Sequence, residues 1–446
     1  MREILLALKE KRYMTKGIKI WNKAKKIIPG GNGLLSKRPD RYLPGLWPTY
    51  FKKAKGINIW DLENKRYIDM AQMGMGSSIL GYCNKFVDDR VKKAIKDGVN
   101  TTLNSIDEYE LAKKILRYNK FADQVKFARG GGEAMSLAVR IARAKSKKDV
   151  VAFSGYHGWH DWYLAANLKN KNGLKSHLLP GLSPVGVPKS LSGTVIPFEY
   201  NNLEDFKNLN KRKLAAIVIE GCRYFLPNKK FLREISKACR KHNICLIIDE
   251  ITSGWRFTNG GVYSLLKIKP DIVVYGKGLG NGYAISCIAG NKKYMSASDE
   301  SFMSSTAWTE KIGFAAANAT IDFFVKKNVS KHLICNGNLI KKRWKQLAYK
   351  HNIKLSTSQV SPLCSFFLNY PNNEELYTFF TQEMLKYKVI ASNSIYLSYA
   401  HKAKDIKYYL SLCDKVFKNM SEFIRKKKKM NKVKIRYSGF KRLTKG

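Results

Sequence analysis

The sequence predicts an α/β fold in which a mostly parallel central sheet is covered by helices, with a smaller α+β domain beside it. Short, wholly apolar runs alternate with helical patterns between Phe127 and about Phe324. Such runs are typical of strands that are buried on both faces. Strand–helix alternation produces parallel sheets, and their ligands bind at the carboxyl ends of the strands. After residue 325 the pattern mixes helix and strand, which indicates the second, α+β domain.

Each predicted element has a local signal. Residues 1–28 alternate apolar and basic positions at helical spacing, residues 32–48 read as a flexible loop, and residues 57–68 read as a hairpin. Helices are predicted over residues 85–98, 107–119, 229–242 and 313–324, with another directly after Gly132. The strands of the central sheet are predicted at residues 126–128, 150–153, 195–197, 215–219, 245–249, 272–275 and 284–289.

The same pattern divides the chain into four segments. An N-terminal segment, 1–84, is expected to pack with the small domain; residues 85–324 form the large α/β domain and residues 325–425 the small α+β domain. Residues 426–446 are a basic tail that begins with a lysine run. Lysine runs of this kind are solvated, so we expect partial disorder there.

Composition limits the classes of function. The net charge is +48, yet the basic residues are spread through every predicted helix, which disfavours a nucleic-acid surface. The eight cysteines show no C-x-x-C spacing, so neither a zinc site nor a disulfide framework is indicated, and reduced thiols in the cytoplasm are expected. No secretory signal and no membrane-spanning apolar run is predicted.

A lysine follows one of the buried strands. Lys277 stands between Gly276 and Gly278, directly after the apolar run that ends at Tyr275. The flanking glycines are expected to let backbone or ligand approach the lysine closely. Partial burial favours the neutral, nucleophilic form of a lysine amine, as covalent catalysis by lysine requires. The competing interpretation is a surface lysine in a glycine-rich turn.

Two further stretches carry chemistry at the ends of predicted elements. Asp249 ends another buried strand, where a carboxylate can pair with a cationic ligand or simply cap a turn. Gly130, Gly131 and Gly132 open a helix, and the bare amide groups of such a start suit a phosphate. Glycine runs also form ordinary turns, so neither stretch is specific by itself.

Taken together and in order, these stretches resemble the class III aminotransferases of pyridoxal 5′-phosphate (PLP) fold type I, most closely the glutamate-1-semialdehyde 2,1-aminomutase branch. The resemblance covers nearly the whole chain. The matching motifs are Ile28-Pro29-Gly30-Gly31, Ala54-Lys55-Gly56, Trp60-Asp61, Arg66-Tyr67-Ile68-Asp69, Ile79-Leu80-Gly81, Gly132-Glu133-Ala134, Val139-Arg140-Ile141-Ala142-Arg143, Tyr156-His157-Gly158, Ser183-Pro184, Gly186-Val187-Pro188, Asp249-Glu250, Gly276-Lys277, Ala400-His401 and Asp405-Ile406.

The resemblance implies a role for each candidate residue. Lys277 would form the Schiff base with PLP and move the proton during amino transfer, and Asp249 would pair with the ring nitrogen. The ring of Tyr156 would stack on the cofactor. The amide groups of the glycine cup, Gly131 and Gly132, would bind its phosphate within the large domain. Thr306 would reach the phosphate of a neighbouring subunit, which implies a homodimer with shared sites; a helix-capping threonine is the alternative.

Several motifs depart from the family pattern. Gly130-Gly131-Gly132 replaces the usual Ser-Gly-Thr, and residues 32–39 lack the Ser-Pro-Val-Arg element, which leaves carboxylate recognition open. This chain has Glu220-Gly221 where the family has Glu-Pro, and Trp308-Thr309-Glu310 where the family has Gly-Asn-Pro. With Trp159-His160-Asp161-Trp162, these differences suggest a side branch with its own amino acceptor. The two histidines, His157 and His160, have no third ligand at metal spacing, so no metal is assigned.

The resulting hypothesis is amino-group transfer by way of pyridoxamine phosphate between a small-molecule donor and a carbonyl acceptor. In the aminomutase version, donor and acceptor are one molecule that stays behind a lid at residues 180–188. In the aminotransferase version the acceptor is separate, a sugar or another carbonyl compound. A cationic binding protein that has kept the fold without catalysis is the third reading. The sequence leaves the donor, the acceptor and the pathway open.

Overall fold

The computed structural model describes residues 14–169, 184–222, 224–427, 429–430 and 433–437. The first thirteen residues of the predicted N-terminal helix and residues 180–183 of the predicted lid lie outside the described residues.

The secondary structure follows the predicted order. The strands are β1 (Phe51–Lys55), β2 (Asn58–Asp61), β3 (Arg66–Met70), β4 (Gln124–Ala128), β5 (Val150–Ser154), β6 (Val195–Pro197), β7 (Leu214–Glu220), β8 (Cys245–Asp249), β9 (Ile272–Tyr275), β10 (Ser286–Gly290), β11 (Leu355–Thr357), β12 (Leu363–Leu368), β13 (Val389–Ala391) and β14 (Ser394–Tyr396). The helices are α1 (Lys16–Ile27), α2 (Lys85–Lys96), α3 (Ile106–Tyr118), α4 (Gly131–Ser146), α5 (Asp161–Leu164), α6 (Ala166–Lys169), α7 (Leu203–Lys207), α8 (Lys229–His242), α9 (Lys292–Met295), α10 (Lys311–Lys326), α11 (Val329–Lys350), α12 (Asn373–Lys386) and α13 (Ala403–Arg425).

A mixed, mostly parallel sheet organises the fold. Its strand order is β4-β10-β9-β8-β7-β5-β6. Strand β10 runs antiparallel to both of its neighbours, whereas β9, β8, β7, β5 and β6 run parallel. The predicted α/β class is confirmed, and the carboxyl ends of the parallel strands share one edge.

Both faces of this sheet are covered, which explains its wholly apolar strands. In β7, Ala216 and Val218 pack into one core cluster, and Ile217 and Ile219 pack into another. Because successive side chains in a strand point to opposite faces, two buried faces require apolar residues at every position. Helix α4 contributes much of the first cluster.

The two ends of the chain meet in a second sheet of order β1-β2-β3-β13. The predicted hairpin forms β2 and β3, and β3 pairs in parallel with β13 from the C-terminal part. A third sheet, β11-β12-β14, lies in the same C-terminal part. Helices α11, α12 and α13 pack around these strands through a continuous apolar core.

The loop expected at residues 32–48 is packed rather than extended. It contains short 3-10 turns at Leu35–Lys37 and Pro39–Arg41. Tyr42 stacks on Trp47 with ring centroids 4.4 Å apart, and both side chains are buried. The segment is therefore a loop, as predicted, in which aromatic packing holds the stretch from Tyr42 to Trp47 in place.

The basic tail has two parts. Lys426, Lys427 and Lys429 are exposed, as expected for a lysine run. Residues 433–437, for which no contact was predicted, lie against the C-terminal part of the chain. Among the described helices, none is long and apolar enough to cross a membrane.

Candidate active site

The predicted polar residues lie side by side at one edge of the central sheet. Glu220 ends β7 and is the register partner of Asp249, which ends β8. Strand β9 pairs with β8 and ends two residues before Lys277. Parallel pairing thus brings the carboxylate and the lysine to the same edge, where α/β sheets bind ligands.

Lys277 is held by a hydroxyl group that the sequence analysis missed. Its Nζ donates a hydrogen bond of 2.7 Å to Oγ1 of Thr252, a buried residue three positions after Asp249. The only sequence signal for this contact is the closeness of Thr252 to Asp249 along the chain. The hydroxyl fixes the position of the amine.

The backbone at Lys277 differs from the predicted arrangement. Side chains at Gly276 or Gly278 would meet neighbouring atoms at no less than 3.4 Å, which is ordinary van der Waals contact. Neither glycine is therefore required for close approach. Lys277 itself has a positive φ of 44°, a conformation that costs a non-glycine residue free energy and is found preferentially at functional sites.

Asp249 forms a buried pair with His157. Its Oδ2 lies 2.8 Å from Nδ1 of His157, and its Oδ1 accepts a hydrogen bond from the backbone of Ile251. The other ring nitrogen of His157 lies 3.2 Å from the carbonyl oxygen of Ser154. Both ring nitrogens thus face oxygen acceptors, one from a side chain and one from the backbone. This role of His157 was not predicted from the sequence; the only signal for it is its place beside Tyr156.

The glycine cup opens helix α4 beside this pair. Its first-turn amide groups have no acceptor earlier in the helix. A Cβ atom at Gly131 would lie 2.9 Å from Cδ1 of Ile251, and one at Gly132 would lie 2.9 Å from Nδ1 of His160. The hydroxyl-bearing residue that the family carries at position 132 is therefore replaced here by the packing of His160. At Gly130 the nearest atom would be 3.8 Å away, so a side chain fits there.

The Tyr156-His157-Gly158 turn packs directly on the cup. Gly158 has a positive φ of 107°, and a Cβ atom there would lie 2.9 Å from the Cα atom of Gly132. The imidazole of His160 stacks on Trp159 with centroids 4.4 Å apart. Burial lowers the pKa of His160, which favours a neutral ring beside the cup.

Tyr156 is half-buried beside Glu220. Its backbone amide donates to Oε2 of Glu220, and its ring meets Tyr163 edge-on at 6.0 Å.

The glycine at position 221, where the family pattern has proline, has a steric reason. A Cβ atom there would lie 2.8 Å from Oγ of Ser253. That serine donates a hydrogen bond of 2.5 Å to the buried Glu250.

Thr306 is the one predicted site residue that stands apart. It is exposed, and no hydrogen bond of its hydroxyl to other described residues is present. Its turn, Thr306–Thr309, is capped by Ser305 without a side-chain hydrogen bond, so the helix-capping alternative for Thr306 finds no support.

A clamp links the Thr306 turn to the glycine cup. Nε of Arg129 donates 2.6 Å to the carbonyl oxygen of Ala307, and Nε1 of Trp308 donates 2.9 Å to Oε1 of Glu133. Although burial opposes it, hydrogen bonds from Arg129, Trp308 and Gly130 lower the pKa of Glu133. The carboxylate therefore stays ionised at the start of α4.

A buried arginine supports the turn that carries Thr252. Nε of Arg256 donates 2.8 Å to the carbonyl oxygen of Thr252, and its Nη2 donates to the carbonyl oxygen of Gly76. Burial lowers the pKa of Arg256 to about 10. The guanidinium thus joins the turn that holds Lys277 to the loop between β3 and α2, a contact that no sequence pattern indicated. Within the described residues, no group of three or more His, Cys, Asp or Glu side chains is placed to hold a metal ion.

Comparison with known proteins identifies the family. The family model "Aminotransferase class-III" matches residues 45–381. The chain belongs to the class III aminotransferases. The resemblance inferred from the motifs is confirmed, and this aminotransferase is an enzyme whose cofactor is PLP. The reading as a non-catalytic cationic protein is thereby excluded.

Curated relatives of this aminotransferase carry two kinds of name. It is 30% identical over 331 residues to the 3-aminobutyryl-CoA aminotransferase of Cloacimonas acidaminovorans, covering 72% of this chain and 75% of the relative. It is 35% identical over 316 residues to the glutamate-1-semialdehyde 2,1-aminomutase of Nitrosopumilus maritimus, covering 68% and 72%. Its fold is similar to the PLP internal aldimine form of the FumI protein of Sphingopyxis sp. MTA144, with a TM-score of 0.83, 23% identity, and coverage of 92% and 97%.

Proposed function

We propose that this aminotransferase moves amino groups with Lys277 as its catalytic amine and with Asp249, Tyr156, Gly131 and Gly132 around the cofactor. The observation that supports this most is the convergence of a buried carboxylate, a hydroxyl-bound lysine amine and a helix N-terminus at one edge of the sheet. Ile251 connects the carboxylate to the helix N-terminus, because its backbone amide donates to Asp249 and its side chain packs on Gly131.

The residues present fit PLP at each of its ends. An acid suits the ring nitrogen, an aromatic side chain suits the ring face, and bare amide groups suit the phosphate. When bound, PLP supplies an aldehyde and a pyridine ring that accepts electrons. Asp249, held by His157, would keep that ring nitrogen protonated.

Lys277 would handle the proton that amino transfer requires. Its Nζ would take a proton from the substrate carbon that carries the amino group and deliver it to the neighbouring carbon of the cofactor. Thr252 would keep the amine in place while it does so. A positioned base of this kind contributes about 10²- to 10⁴-fold to a rate.

We further propose that the substrate carries an anionic group. Arg41 lies in the packed N-terminal loop and is half-buried, and burial lowers the pKa of its guanidinium to about 10. Its neighbour Tyr42 has its hydroxyl 3.8 Å from Sδ of Met75, and the carbonyl oxygen of the next residue, Gly76, accepts from Arg256 beside Thr252. A guanidinium on this loop would suit a substrate carboxylate.

Two substrate assignments remain candidates. The relatives named as aminomutases favour glutamate-1-semialdehyde, with donor and acceptor in one molecule. The relative named as a 3-aminobutyryl-CoA aminotransferase favours a separate carbonyl acceptor, and so do the changed motifs at Gly132 and Trp159 to Trp162. A sugar or another carbonyl compound belongs to this second class.

We propose a homodimer in which Thr306 contributes to the site of the partner. Thr306 is exposed, and its hydroxyl makes no hydrogen bond to another described residue. Large apolar side chains are exposed in the preceding residues and in the segment before α3. Phe302, four residues before, is 87% exposed, and Leu103, in the segment before α3, is 81% exposed. Apolar exposure of this extent is typical of a surface that a partner covers. Since all eight cysteines are free, we also propose a reducing compartment, the cytoplasm.

A half-reaction screen tests the proposed function. The PLP-loaded enzyme is mixed with single amino donors, and loss of the cofactor's aldehyde absorbance is followed. Glutamate-1-semialdehyde is then supplied, and 5-aminolevulinate is measured. Formation of 5-aminolevulinate without a donor supports the aminomutase, whereas a spectral change only with a separate donor supports the aminotransferase.

Lys277→Ala is the variant that tests the catalytic amine. We expect amino transfer to fall by at least about 10³-fold, since nucleophile and base are lost together. Lys241→Ala, at an exposed position on α8, is the matched control and should keep the wild-type rate. A Lys277→Ala enzyme within tenfold of wild type would refute the proposal.

A further inference from the structure

The glycine cup lacks the hydroxyl groups that the family pattern places at its first and third positions. At Gly130 a side chain would meet no atom closer than 3.8 Å, so no neighbour has taken the space of the first hydroxyl. At Gly132 a Cβ atom would lie 2.9 Å from Nδ1 and 3.0 Å from Cε1 of His160. The polar edge of an imidazole ring therefore occupies the space that a threonine side chain at position 132 would need.

The imidazole of His160 is held in this place by its neighbours. Its ring stacks on Trp159, with centroids 4.4 Å apart and an angle of 20° between the planes. Its carbonyl oxygen accepts hydrogen bonds of 2.9 Å and 3.1 Å from the backbone amides of Tyr163 and Leu164, because His160 is the N-cap of α5. Stacking and capping together fix the ring against Gly132.

The ring nitrogen that faces Gly132 has no partner. Among the described residues, Nδ1 of His160 is a buried polar atom without a hydrogen bond. Nε2 of the same ring is not buried in this way, so water can satisfy it. The nearby carboxylate of Glu133 does not fill this role, because its oxygens accept from Arg129, Gly130 and Trp308. Since an orphaned buried nitrogen costs free energy, it indicates a group that binds there.

A neutral ring at this place can act as a hydrogen-bond donor. Burial lowers the pKa of His160, against the opposing effects of Glu133 and Asp161, so near neutral pH the ring carries its proton on one of its two nitrogens. The partner selects which nitrogen is protonated, and an anionic oxygen beside Gly132 selects Nδ1. The N-terminus of α4 attracts an anion to the same place.

We propose that His160 binds the phosphate of PLP through Nδ1–H, in place of the hydroxyl that the family carries at position 132. This inference rests on the proposed function, because it uses the placement of the cofactor's phosphate at Gly131 and Gly132. It deepens that placement by adding a side-chain donor to a cup made of main-chain amides. His160 has no part in the proton transfer at Lys277.

His160→Leu and His160→Asn are a matched pair, because their side chains branch alike and only asparagine keeps polar atoms at the δ position. Apoenzyme of the full chain is titrated with PLP and with pyridoxal, which lacks the phosphate. We expect His160→Leu to raise the Kd for PLP about 10- to 100-fold, the effect of one lost hydrogen bond to a charged group. His160→Asn should stay within about threefold of wild type, and the Kd for pyridoxal should not change in either variant.

A double variant tests whether the imidazole and the hydroxyl can replace each other. His160→Ala alone should weaken PLP binding as much as His160→Leu, and it opens the space that a side chain at position 132 needs. Gly132→Thr in the His160→Ala background should then restore the Kd for PLP to within about threefold of wild type. Losses that multiply, as independent changes do, would overturn the proposal.

The same titrations separate this inference from the proposed function. Unchanged PLP affinity in His160→Leu, with weaker binding in Gly132→Thr, would overturn the role of His160 and leave the cofactor at the cup. Equal losses for PLP and pyridoxal would show that His160 only shapes the site, which also overturns the proposal. If neither position affects PLP, the placement of the phosphate at the cup fails, and this inference fails with it. His242→Leu, in the last turn of α8, is the control and should bind both compounds as the wild type does.

Discussion

The candidate site has two ends that are built differently. At the end that contains Lys277 and Asp249, hydrogen bonds between side chains hold the functional groups in place. At the end formed by Gly131 and Gly132, neighbouring side chains occupy the space that a Cβ atom would need. The lysine amine is held by the hydroxyl of Thr252, and the carboxylate is held by the imidazole of His157. The glycine end has Ile251 and His160 packed against Gly131 and Gly132.

This difference predicts how each end responds to substitution. At the first end a changed side chain removes a specific charge or hydrogen bond, so an isosteric replacement is sufficient to reveal it. At the glycine end the main-chain amide groups are expected to bind the phosphate of the cofactor. The damaging change there is therefore an added side chain.

The largest effect is expected at Asp249. Asp249→Asn keeps the shape but removes the charge that pairs with His157 and with a protonated ring nitrogen. Breaking a buried pair costs about 3–5 kcal/mol, so kcat should fall by at least about 100-fold. Glu234→Gln, at a partly exposed position on α8, is the control. A kcat within threefold of wild type for Asp249→Asn would show that the acid does not serve the cofactor.

Glu250 directly follows Asp249, and a variant at this position tests whether the second carboxyl affects the stability of the fold and not the cofactor. Burial raises its pKa to about 7, above its ordinary 4.5. A raised pKa in the folded state stabilises the fold at low pH, and this contribution is lost as pH rises from about 4.5 to about 7. Glu250→Gln should remove the pH-dependent term, about 3 kcal/mol over that window.

Urea unfolding at several pH values measures this term. The free energy of unfolding of the wild type, relative to Glu250→Gln, should fall steadily between pH 5 and pH 7. Gln can still accept from the backbone of Tyr263 and donate to Ser253, so the variant is expected to fold. A difference that stays constant over this range would contradict the assignment.

The glycine end is tested by Gly132→Thr against Gly130→Ser. The first restores the family's hydroxyl but places its Cβ atom against His160, so we expect the Kd for PLP to rise about tenfold, the effect of overpacking by about 1.4 kcal/mol. The second adds a hydroxyl where space is open, so its Kd should stay within about twofold. Titration of the apoenzyme with PLP measures both. Equal affinities for PLP in the two variants would contradict the inference that His160 occupies the space of a side chain at position 132.

The smallest effect is expected at Thr252. Thr252→Val keeps the shape of the side chain and removes the hydroxyl that holds Nζ of Lys277, so kcat should fall about fivefold. Thr252→Ser restores a hydroxyl and should recover most of the rate. A Ser variant as slow as the Val variant would show that the methyl packing of Thr252 matters and its hydrogen bond does not.

The strand ends at Asp249 and Lys277 could be predicted from the sequence because their signals are local. A wholly apolar run followed by a charged residue marks both the strand and the edge at which it ends. The mostly parallel sheet follows from the same runs. Tyr156 was predicted from the family resemblance and not from its own surroundings.

The supporting contacts could not be predicted, because they join residues far apart in the chain. His157 and Asp249 are separated by 92 positions, and Trp308 and Glu133 by 175. The contact between the two ends of the chain is a sharper case: the backbone amide of Tyr437 donates to the carbonyl oxygen of Asp40, and main-chain contacts carry no residue-specific signal. At Gly132, the sequence showed that the hydroxyl was missing, but only packing shows that His160 takes its place.

Reduction of the PLP-loaded enzyme with borohydride, followed by peptide mass spectrometry, tests the central claim most directly. Borohydride makes the bond between PLP and the amine that holds it permanent, so the peptide that carries the cofactor identifies that amine. The account predicts the added mass on Lys277 in the wild type and none at that position in Lys277→Ala. A cofactor mass on any other lysine of the wild type would contradict it.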